Sequence, residues 1–162
     1  MITYEQVKKF FDYETETGLL IWRLRPEYNK TWNTRYAGKE GGSFDKNGYR
    51  QITINRKMYL VHRVIYFWMT AEWPEEIDHR NGNPSDNRWE NLRPATHAEN
   101  MQNMKKFKNN RSGFCGVAGN AGKWQVYLGH KYIGLFETVE EANMAYCDAK
   151  MKFHQFQPTV RG

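Results

Sequence analysis

A polar segment at residues 77–100 constrains the fold and chemistry of this chain more than any other stretch. It concentrates carboxylate, imidazole and amide groups around a Gly-Asn-Pro turn, with few apolar side chains that could build a core. The pattern predicts a short strand from Ile77, a glycine-containing loop, a second strand near 91–93, and a helix opened by a capping box of Thr96 and Glu99. This segment is therefore expected to form a ββα unit that presents reactive side chains.

The rest of the chain predicts an α+β protein. Before the polar segment, apolar periodicity and capping residues predict a first helix and two strand regions, followed by a buried helix. The expected elements are a helix from Thr3, a strand at 19–22, a loop or hairpin rim at 25–48, a hairpin of 49–54 with 57–60, and a helix at 61–69.

After Gly113 the pattern changes to three short alternating segments and one amphipathic helix. Strands are expected at 114–118, 123–128 and 131–136, and Thr138 with Glu141 predicts the start of the final helix. We therefore predict a domain at 1–103, a basic linker at 104–112, and a small domain of a three-stranded antiparallel sheet and one helix at 113–162.

Positive charge is concentrated in the second part of the chain. Residues 1–103 hold 15 Lys and Arg against 14 Asp and Glu, whereas residues 104–162 hold 9 against 4. Four of these cations, Lys105, Lys106, Lys108 and Arg111, lie close together without an acid among them. Such a stretch is either a solvated linker or a phosphate contact, and a nearby phosphodiester site favours the second interpretation.

Hydrolysis of a phosphodiester requires an activated water, a counter-charge and help for the leaving oxygen, which a divalent metal and a general base supply together. Asp78 and His79 can converge at a strand end, where Asn91 would orient the imidazole. Asn100 would add a neutral oxygen ligand, and one carboxylate with one amide suits one Mg²⁺ or Mn²⁺. His97 shares a helix face with Asn100 and is the second choice, either as ligand or as its support.

The spaced set Asp78, His79, Asn91 and Asn100 resembles the HNH (ββα-metal) endonucleases. The surrounding sequence, with Val61-His62-Arg63, Trp73-Pro74 and Asp86-Asn87-Arg88, is similar to the phage-type branch that includes homing endonucleases. This resemblance implies that His79 is the general base and Asn91 its orienting partner, with Asp78 and Asn100 holding a single metal.

The small C-terminal domain resembles the APETALA-type, ethylene-response-factor-like DNA-binding domain, a three-stranded sheet packed on one helix. The likeness rests on Ser112-Gly113-Phe114, Gly116-Val117, Lys123-Trp124 and Glu140-Glu141-Ala142. It departs from the family pattern because its strands hold few Arg residues, so groove and phosphate binding are expected rather than base-specific readout. The predicted DNA contacts of the whole chain are Arg80, Arg88, Arg93, Lys105, Lys106, Lys108, Arg111, Lys123, Trp124 and Lys131.

These patterns predict a metal-dependent endonuclease that acts on double-stranded DNA, of phage or homing type, with no membrane or small-molecule partner. Two cysteines without a metal or disulfide pattern predict a cytoplasmic protein. Two alternatives stay open: a DNA-binding regulator that uses the HNH unit as a scaffold, and a structure-selective nuclease acting on RNA or branched DNA.

Overall fold

The computed structural model describes residues 2–102, 110–154 and 156. It is a mixed α+β protein with small antiparallel sheets, and it divides into two compact units, Met1–His97 and Ala98–Gly162. The predicted domain boundary at 103–104 lies outside the described residues, and so do three cations of the basic stretch, Lys105, Lys106 and Lys108.

The first unit alternates short helices with three antiparallel sheets, β1–β2, β3–β4–β5 and β6–β7. Its elements are α1 (Tyr4–Phe10), β1 (Phe11–Glu14), β2 (Leu19–Trp22), α2 (Lys30–Tyr36), β3 (Ser43–Phe44), β4 (Arg50–Ile54), β5 (Lys57–Leu60), α3 (Val61–Thr70), β6 (Glu76–His79) and β7 (Leu92–Ala95). A further helix, α4 (His97–Gln102), begins at the last residue of this unit.

The core of the first unit joins the N-terminal elements to α3. Thr3 and Gln6 form the predicted capping box of α1. Phe11 and Leu20 from the first hairpin are fully buried in one apolar cluster with Val64 and Ile65 of α3. The hairpin and the helix that precedes the polar segment therefore share one core.

The predicted hairpin of 49–54 with 57–60 is confirmed, since β4 and β5 pair in antiparallel register from Gln51 with Leu60 to Ile54 with Lys57. The two turn residues, Asn55 and Arg56, have φ of 50° and 64°. These left-handed values match the right-handed twist of the two strands, which is the reason a two-residue turn closes them.

The prediction of a loop or hairpin rim at 25–48 is correct for its last part, where β3 pairs with β4, and it is wrong for residues 30–36, which form α2. Asn29 caps the helix by accepting a hydrogen bond from the Trp32 backbone N–H at 2.8 Å. Trp32 and Tyr36 then pack against the core. Tertiary packing of these two aromatic side chains stabilises a helix that local composition alone does not favour.

The second unit contains β8 (Val117–Asn120), β9 (Lys123–Leu128), β10 (Lys131–Phe136) and α5 (Val139–Phe153), with strand order β10–β9–β8. The predicted capping box of Thr138 and Glu141 is confirmed. Val117, Val126 and Ala142 form the buried core between the sheet and the helix. Within the described ranges, no helix is long and apolar enough to span a membrane.

The first strand of this sheet lies later than the predicted 114–118. Gly119 pairs with Trp124 and Asn120 with Lys123. Gly119 and Asn120 therefore belong to β8 and not to the turn between β8 and β9. Only Ala121 and Gly122, with φ of 48° and 83°, form the turn. A two-residue turn of this kind fixes the register of the hairpin, which the glycine-rich sequence left undefined.

Candidate active site

The β6–β7 hairpin brings Asp78 and His79 to adjacent buried positions. Asp78 lies opposite Arg93 and His79 opposite Leu92 in the antiparallel register. Asp78 and His79 are each only 5% exposed. Neighbouring residues of a strand point to opposite faces, and here both faces of β6 are covered. The carboxylate and the imidazole are therefore both shielded from bulk water, where polar interactions are stronger.

Asn87 holds the imidazole of His79. The Nε2 atom of His79 lies 3.2 Å from Oδ1 of Asn87. With the amide oxygen of Asn87 as the acceptor, the His79 ring takes the tautomer that carries its proton on Nε2, which leaves Nδ1 as the basic nitrogen. Tyr13 of β1 donates its hydroxyl proton to the carbonyl oxygen of Asn87 at 2.8 Å. The first hairpin of the fold thus supports the residue that orients the ring.

Two further rings pack around His79. The ring of His62 meets it edge to face, with centroids 4.9 Å apart, and the ring of Tyr49 lies 5.9 Å away. Burial lowers the pKa of His62 to about 3, and the neighbouring His79 and Arg63 add to the shift. His62 is therefore neutral at ordinary pH, and it restricts the orientation of the His79 ring through packing rather than charge.

Asn91 acts on the loop between β6 and β7. It lies in a short 3₁₀ helix, Trp89–Asn91, just before β7 and not on the strand. Its Oδ1 accepts a hydrogen bond from the Asn81 backbone N–H at 2.9 Å, and its Nδ2 donates to the carbonyl oxygen of Asp86 at 2.7 Å. Asn91 was predicted to orient the imidazole; both ends of its side-chain amide bond backbone groups on the two sides of the loop, and the amide oxygen 3.2 Å from the ring is that of Asn87. The catalytic role of Asn91 stays a prediction.

An ion pair closes the same loop. Arg88 donates to both carboxylate oxygens of Asp86, at 2.9 and 2.7 Å, and these bonds lower the pKa of Asp86 to about 2. Arg88 also lies 3.0 Å from the carboxylate of Glu90. The guanidinium that we expected to contact phosphate is thus engaged by two carboxylates of its own chain.

Arg93 is engaged in a similar way. Its Nε and Nη2 atoms both donate to Oδ2 of Asp78, at 2.8 and 2.7 Å. The Asp78 side chain is buried, at 5% exposed, and that of Arg93 is largely covered, at 14% exposed. Contact of Arg93 with phosphate would require this pair to open. Oδ2 of Asp78 is thus engaged by Arg93, and the role of Asp78 as a metal ligand stays a prediction.

Helix α4 carries the two candidates that follow the hairpin. The side chain of His97 is 75% exposed, and its Nδ1 lies 2.9 Å from a carboxylate oxygen of Glu76. Asn100 is half-buried on α4 and lies beyond the last residue of the first unit. Its role as a metal ligand stays a prediction that rests on the sequence pattern.

Three predicted DNA contacts of the second unit, Lys123, Trp124 and Lys131, pack on or pair with residues of the same unit. Lys123 forms an ion pair with Glu137, and the ammonium of Lys131 lies 3.5 Å above the ring of Phe153. Trp124 is partly buried against the core of the unit, which accounts for its position by packing, and its contact with DNA stays a prediction. Arg80 and Arg111 are exposed and stay candidates.

The contact of Asn87 with His79 was not predicted from the sequence. Asp86-Asn87-Arg88 is a pattern typical of a turn, and the first and third residues do close the loop. The signal that could have singled out Asn87 is its position inside a polar loop directly after Asp78-His79, although only a folded loop brings it back to the ring.

A family model for HNH endonucleases matches residues 59–102. The matched segment contains all four residues of the spaced set, and it lies in the middle of the chain rather than at its N-terminus. No curated protein and no solved structure matches the chain significantly. The match supports an HNH nuclease at residues 59–102, and HNH endonucleases as a family act on nucleic acid.

Proposed function

We propose that the protein is a metal-dependent DNA endonuclease that hydrolyses phosphodiester bonds with His79 as the general base. The observation that carries this proposal is the buried pair of Asp78 and His79 on β6, inside the segment that matches HNH endonucleases. A buried imidazole and a buried carboxylate at consecutive positions can supply the general base and the metal ligand that phosphodiester hydrolysis uses.

The proposed role of His79 is to take the proton from the attacking water through Nδ1. The contact of Nε2 with Asn87 supports this role, because it directs the basic nitrogen away from the amide. The packing of His62 and Tyr49 supports it as well, since both rings restrict rotation of the imidazole. A ring held in one orientation needs no further reorganisation when the proton transfers.

Asp78 is the proposed ligand of a single Mg²⁺ or Mn²⁺, with Asn100 as the second protein ligand on the strength of the sequence pattern. Among the described residues, no three His, Cys, Asp or Glu side chains come together as a metal cage. Few protein ligands and several waters are what Mg²⁺ prefers, so the carboxylate of Asp78 fits this ion. The bound cation would neutralise charge on the phosphate and help the leaving oxygen depart.

The proposed substrate is double-stranded DNA, and the C-terminal unit is the proposed anchor. Its three-stranded sheet and helix agree with the APETALA-type likeness in element order. The basic stretch of Lys105, Lys106, Lys108 and Arg111 would add phosphate contacts. Assignment to the phage or homing branch rests on the form of the motif around residues 61–100.

A cleavage assay tests this proposal. Purified protein is incubated with supercoiled plasmid, with a structured RNA and with a branched DNA, each with Mg²⁺, with Mn²⁺ or with chelator. We expect metal-dependent relaxation or linearisation of the plasmid, and a loss of at least about 100-fold in His79→Ala, because general bases contribute about 10²–10⁴-fold. The exposed His130→Ala serves as the matched control.

The same assay across a metal concentration series tests the ligands. Asp78→Asn should raise the metal concentration for half-maximal cleavage more than Asn100→Ala, because a carboxylate adds charge and an amide only a dipole. If His97→Ala shifts this concentration and Asn100→Ala does not, the second ligand is His97. Binding of DNA without any cleavage would favour the regulator, and cleavage confined to RNA or branched DNA would favour the structure-selective nuclease.

A further inference from the structure

A cleft outside the candidate active site lies between helix α2 and the β3–β4 edge of the central sheet. Its volume is about 600 Å³, which is in the range of small-molecule sites. One wall is formed by aromatic rings and the other by residues 51–55 on and just after β4. β3 pairs only with Arg50 and Gln51, so within the described residues no strand continues this edge beside Ile52.

The aromatic wall is a continuous series of rings. Trp32 of α2 lies at its centre, with ring centroids 4.8 Å from Tyr28, 5.1 Å from Tyr36 and 5.3 Å from Trp22. Tyr28 is 38% exposed, so part of this wall faces solvent. A set of rings that is only partly covered offers a surface on which a planar group can stack.

Arg25 also lines the cleft, and its guanidinium is unusual. The residue is 6% exposed and lies between two rings, with its Cζ atom 3.7 Å from the centroid of Phe10 and 3.9 Å from that of Tyr28. The nearest carboxylate oxygen, of Glu27, is 3.6 Å from Nε, beyond hydrogen-bond length. Nε has no hydrogen-bond partner in the described part of the chain.

A buried charged group without a hydrogen bond is costly, and such groups in native structures call for an explanation. A ligand that brings an anionic oxygen to this guanidinium would supply the missing hydrogen bond. The charges around the cleft agree with an anionic ligand. Its cations are Arg25, which also forms an ion pair with Glu27 at 3.6 Å, and Arg35. Glu40, the sole acid among its lining residues, pairs with Arg50 at 2.7 Å.

We infer that this cleft binds one unpaired nucleotide of the nucleic-acid substrate, with the base on the aromatic wall and a phosphate on Arg25 and Arg35. We choose a nucleotide because it carries a planar base and an anionic phosphate in one molecule. The base matches the aromatic wall, and the phosphate matches the guanidinium of Arg25. The inference rests on the proposed nuclease function for the identity of the strand.

The position of β4 connects the cleft with the candidate active site. Tyr49, the residue before β4, contacts the ring of His79, and residues 51–55 line the cleft. At about 3.3 Å per residue, the cleft begins roughly 7 Å from Tyr49 along the strand and ends roughly 20 Å from it. A nucleotide bound there would therefore lie a few positions from the bond that is cut.

Oligonucleotide binding to the full chain tests this inference. The His79→Ala protein is titrated in chelator with a fluorescein-labelled single-stranded decanucleotide and, separately, with deoxythymidine monophosphate. We expect Tyr28→Leu to weaken decanucleotide binding about 5- to 100-fold, since base stacking on an aromatic ring is of that size. Arg25→Gln should weaken it too, whereas Arg23→Gln, an exposed arginine outside the cleft, should not.

Crosslinking gives a second readout that needs no cleft variant. Irradiation of the protein with a decanucleotide containing 5-iodouracil should join the base to Tyr28, Trp32 or Tyr36, as read by mass spectrometry of the peptides. Unchanged binding in Tyr28→Leu together with crosslinks elsewhere would overturn the inference. Equal affinity for the mononucleotide and the decanucleotide would also overturn it, since the ligand would then be a free nucleotide.

The plasmid assay on the wild-type protein separates this inference from the proposed function. Cleavage of plasmid with oligonucleotide binding unaffected by the cleft variants would reject the cleft and leave the nuclease. Binding that depends on Tyr28 and Arg25, without cleavage of any substrate, would support the nucleotide site and reject the nuclease.

Discussion

Asn87 makes its two contacts through different atoms, the side-chain oxygen toward His79 and the backbone oxygen toward Tyr13. A substitution of its side chain therefore removes the first contact and spares the second. This separation allows the orientation of the imidazole to be tested without loss of the link to the first hairpin.

We predict that Asn87→Ala lowers kcat for plasmid cleavage about 10- to 100-fold, the range found for residues that orient histidine ligands of metals. The affinity for DNA should change little, because binding depends mainly on phosphate contacts. The matched control is Tyr13→Phe, which removes only the hydrogen bond to the Asn87 carbonyl and should have a smaller effect on kcat. A kcat within twofold of wild type in Asn87→Ala would remove this residue from the mechanism.

His62 gives the stability of the first unit a pH dependence. Its pKa is about 3 in the fold, and an unfolded histidine titrates near 6.5, so between these values the unfolded chain binds the extra proton. The contribution of neutral His62 to the free energy of unfolding is therefore fully present above about pH 6.5, and it is lost as the pH falls from about 6.5 toward 3.

At pH 5.0 the free energy of unfolding should be about 2 kcal/mol below that at pH 7.5 because of this residue, from 1.36 kcal/mol per pH unit. His62→Phe keeps a ring between Tyr49 and His79 and should reduce the difference by that amount. Urea unfolding at the two pH values, followed by tryptophan fluorescence, measures it. His97→Phe, at an exposed histidine of the same unit, should leave the difference unchanged.

At the scale of elements, the loop between β6 and β7 depends on one side chain. The amide of Asn91 bonds the Asn81 N–H and the Asp86 carbonyl, so its removal leaves two backbone groups without that partner. We predict that Asn91→Ala destabilises the first unit by about 1–3 kcal/mol. Faster hydrogen exchange at the Asn81 amide should accompany this loss.

Ser85→Ala in the same loop is the control, because Ser85 is exposed and, among the described residues, its hydroxyl and N–H bond Asn83 alone. Reduced cleavage by Asn91→Ala at unchanged stability would instead support the direct role toward the imidazole that the sequence suggested. The two roles thus differ in whether the unfolding free energy falls together with the rate.

Elements with a strong local signal were predicted correctly. The capping boxes at Thr3 and Thr138 and the β4–β5 hairpin each depend on residues a few positions apart. Helix α2 was missed because its stability comes from Trp32 packing against Trp22, ten positions away. Composition of residues 25–48 carries no trace of that contact.

The candidate site divides in the same way. Asp78 and His79 are recognisable because two reactive groups stand side by side in a polar segment. The contacts of His79 with Asn87 and His62 depend on how the loop and α3 fold around the strand, and no local pattern encodes them. The cleft at Arg25 could not be predicted from the sequence either, since Phe10 and Tyr28 contact the guanidinium only in the folded chain.

At the scale of the whole molecule, the charge distribution predicts a division of labour. Neutralising Lys105, Lys106, Lys108 and Arg111 to Gln should reduce the slope of log affinity against log salt by up to about four units, from about 0.9 per phosphate contact on B-DNA. The loss should be similar for different duplex sequences, because phosphate contacts do not read bases. Fluorescence anisotropy at several salt concentrations measures the slope.

The control removes the same charge from exposed positions of the first unit, with Lys39, Lys46, Arg56 and Lys57 changed to Gln. In this variant the slope of log affinity against log salt should stay close to that of the wild-type protein. If both variants lose it equally, the basic stretch has no special role and the second unit is not the DNA anchor.

The hydroxyl of Tyr13 reaches across 74 positions of sequence to Asn87, and the indole of Trp68 donates to the Phe11 carbonyl at 3.2 Å. Both bonds tie the segment at 59–102 to a hairpin that lies outside it. Residues 59–102, which the family model matches, thus depend for their structure on contacts with residues outside the match. Anyone who grafts the nuclease motif into another protein, or any recombination event that carries it to a new gene, must bring the β1–β2 hairpin along.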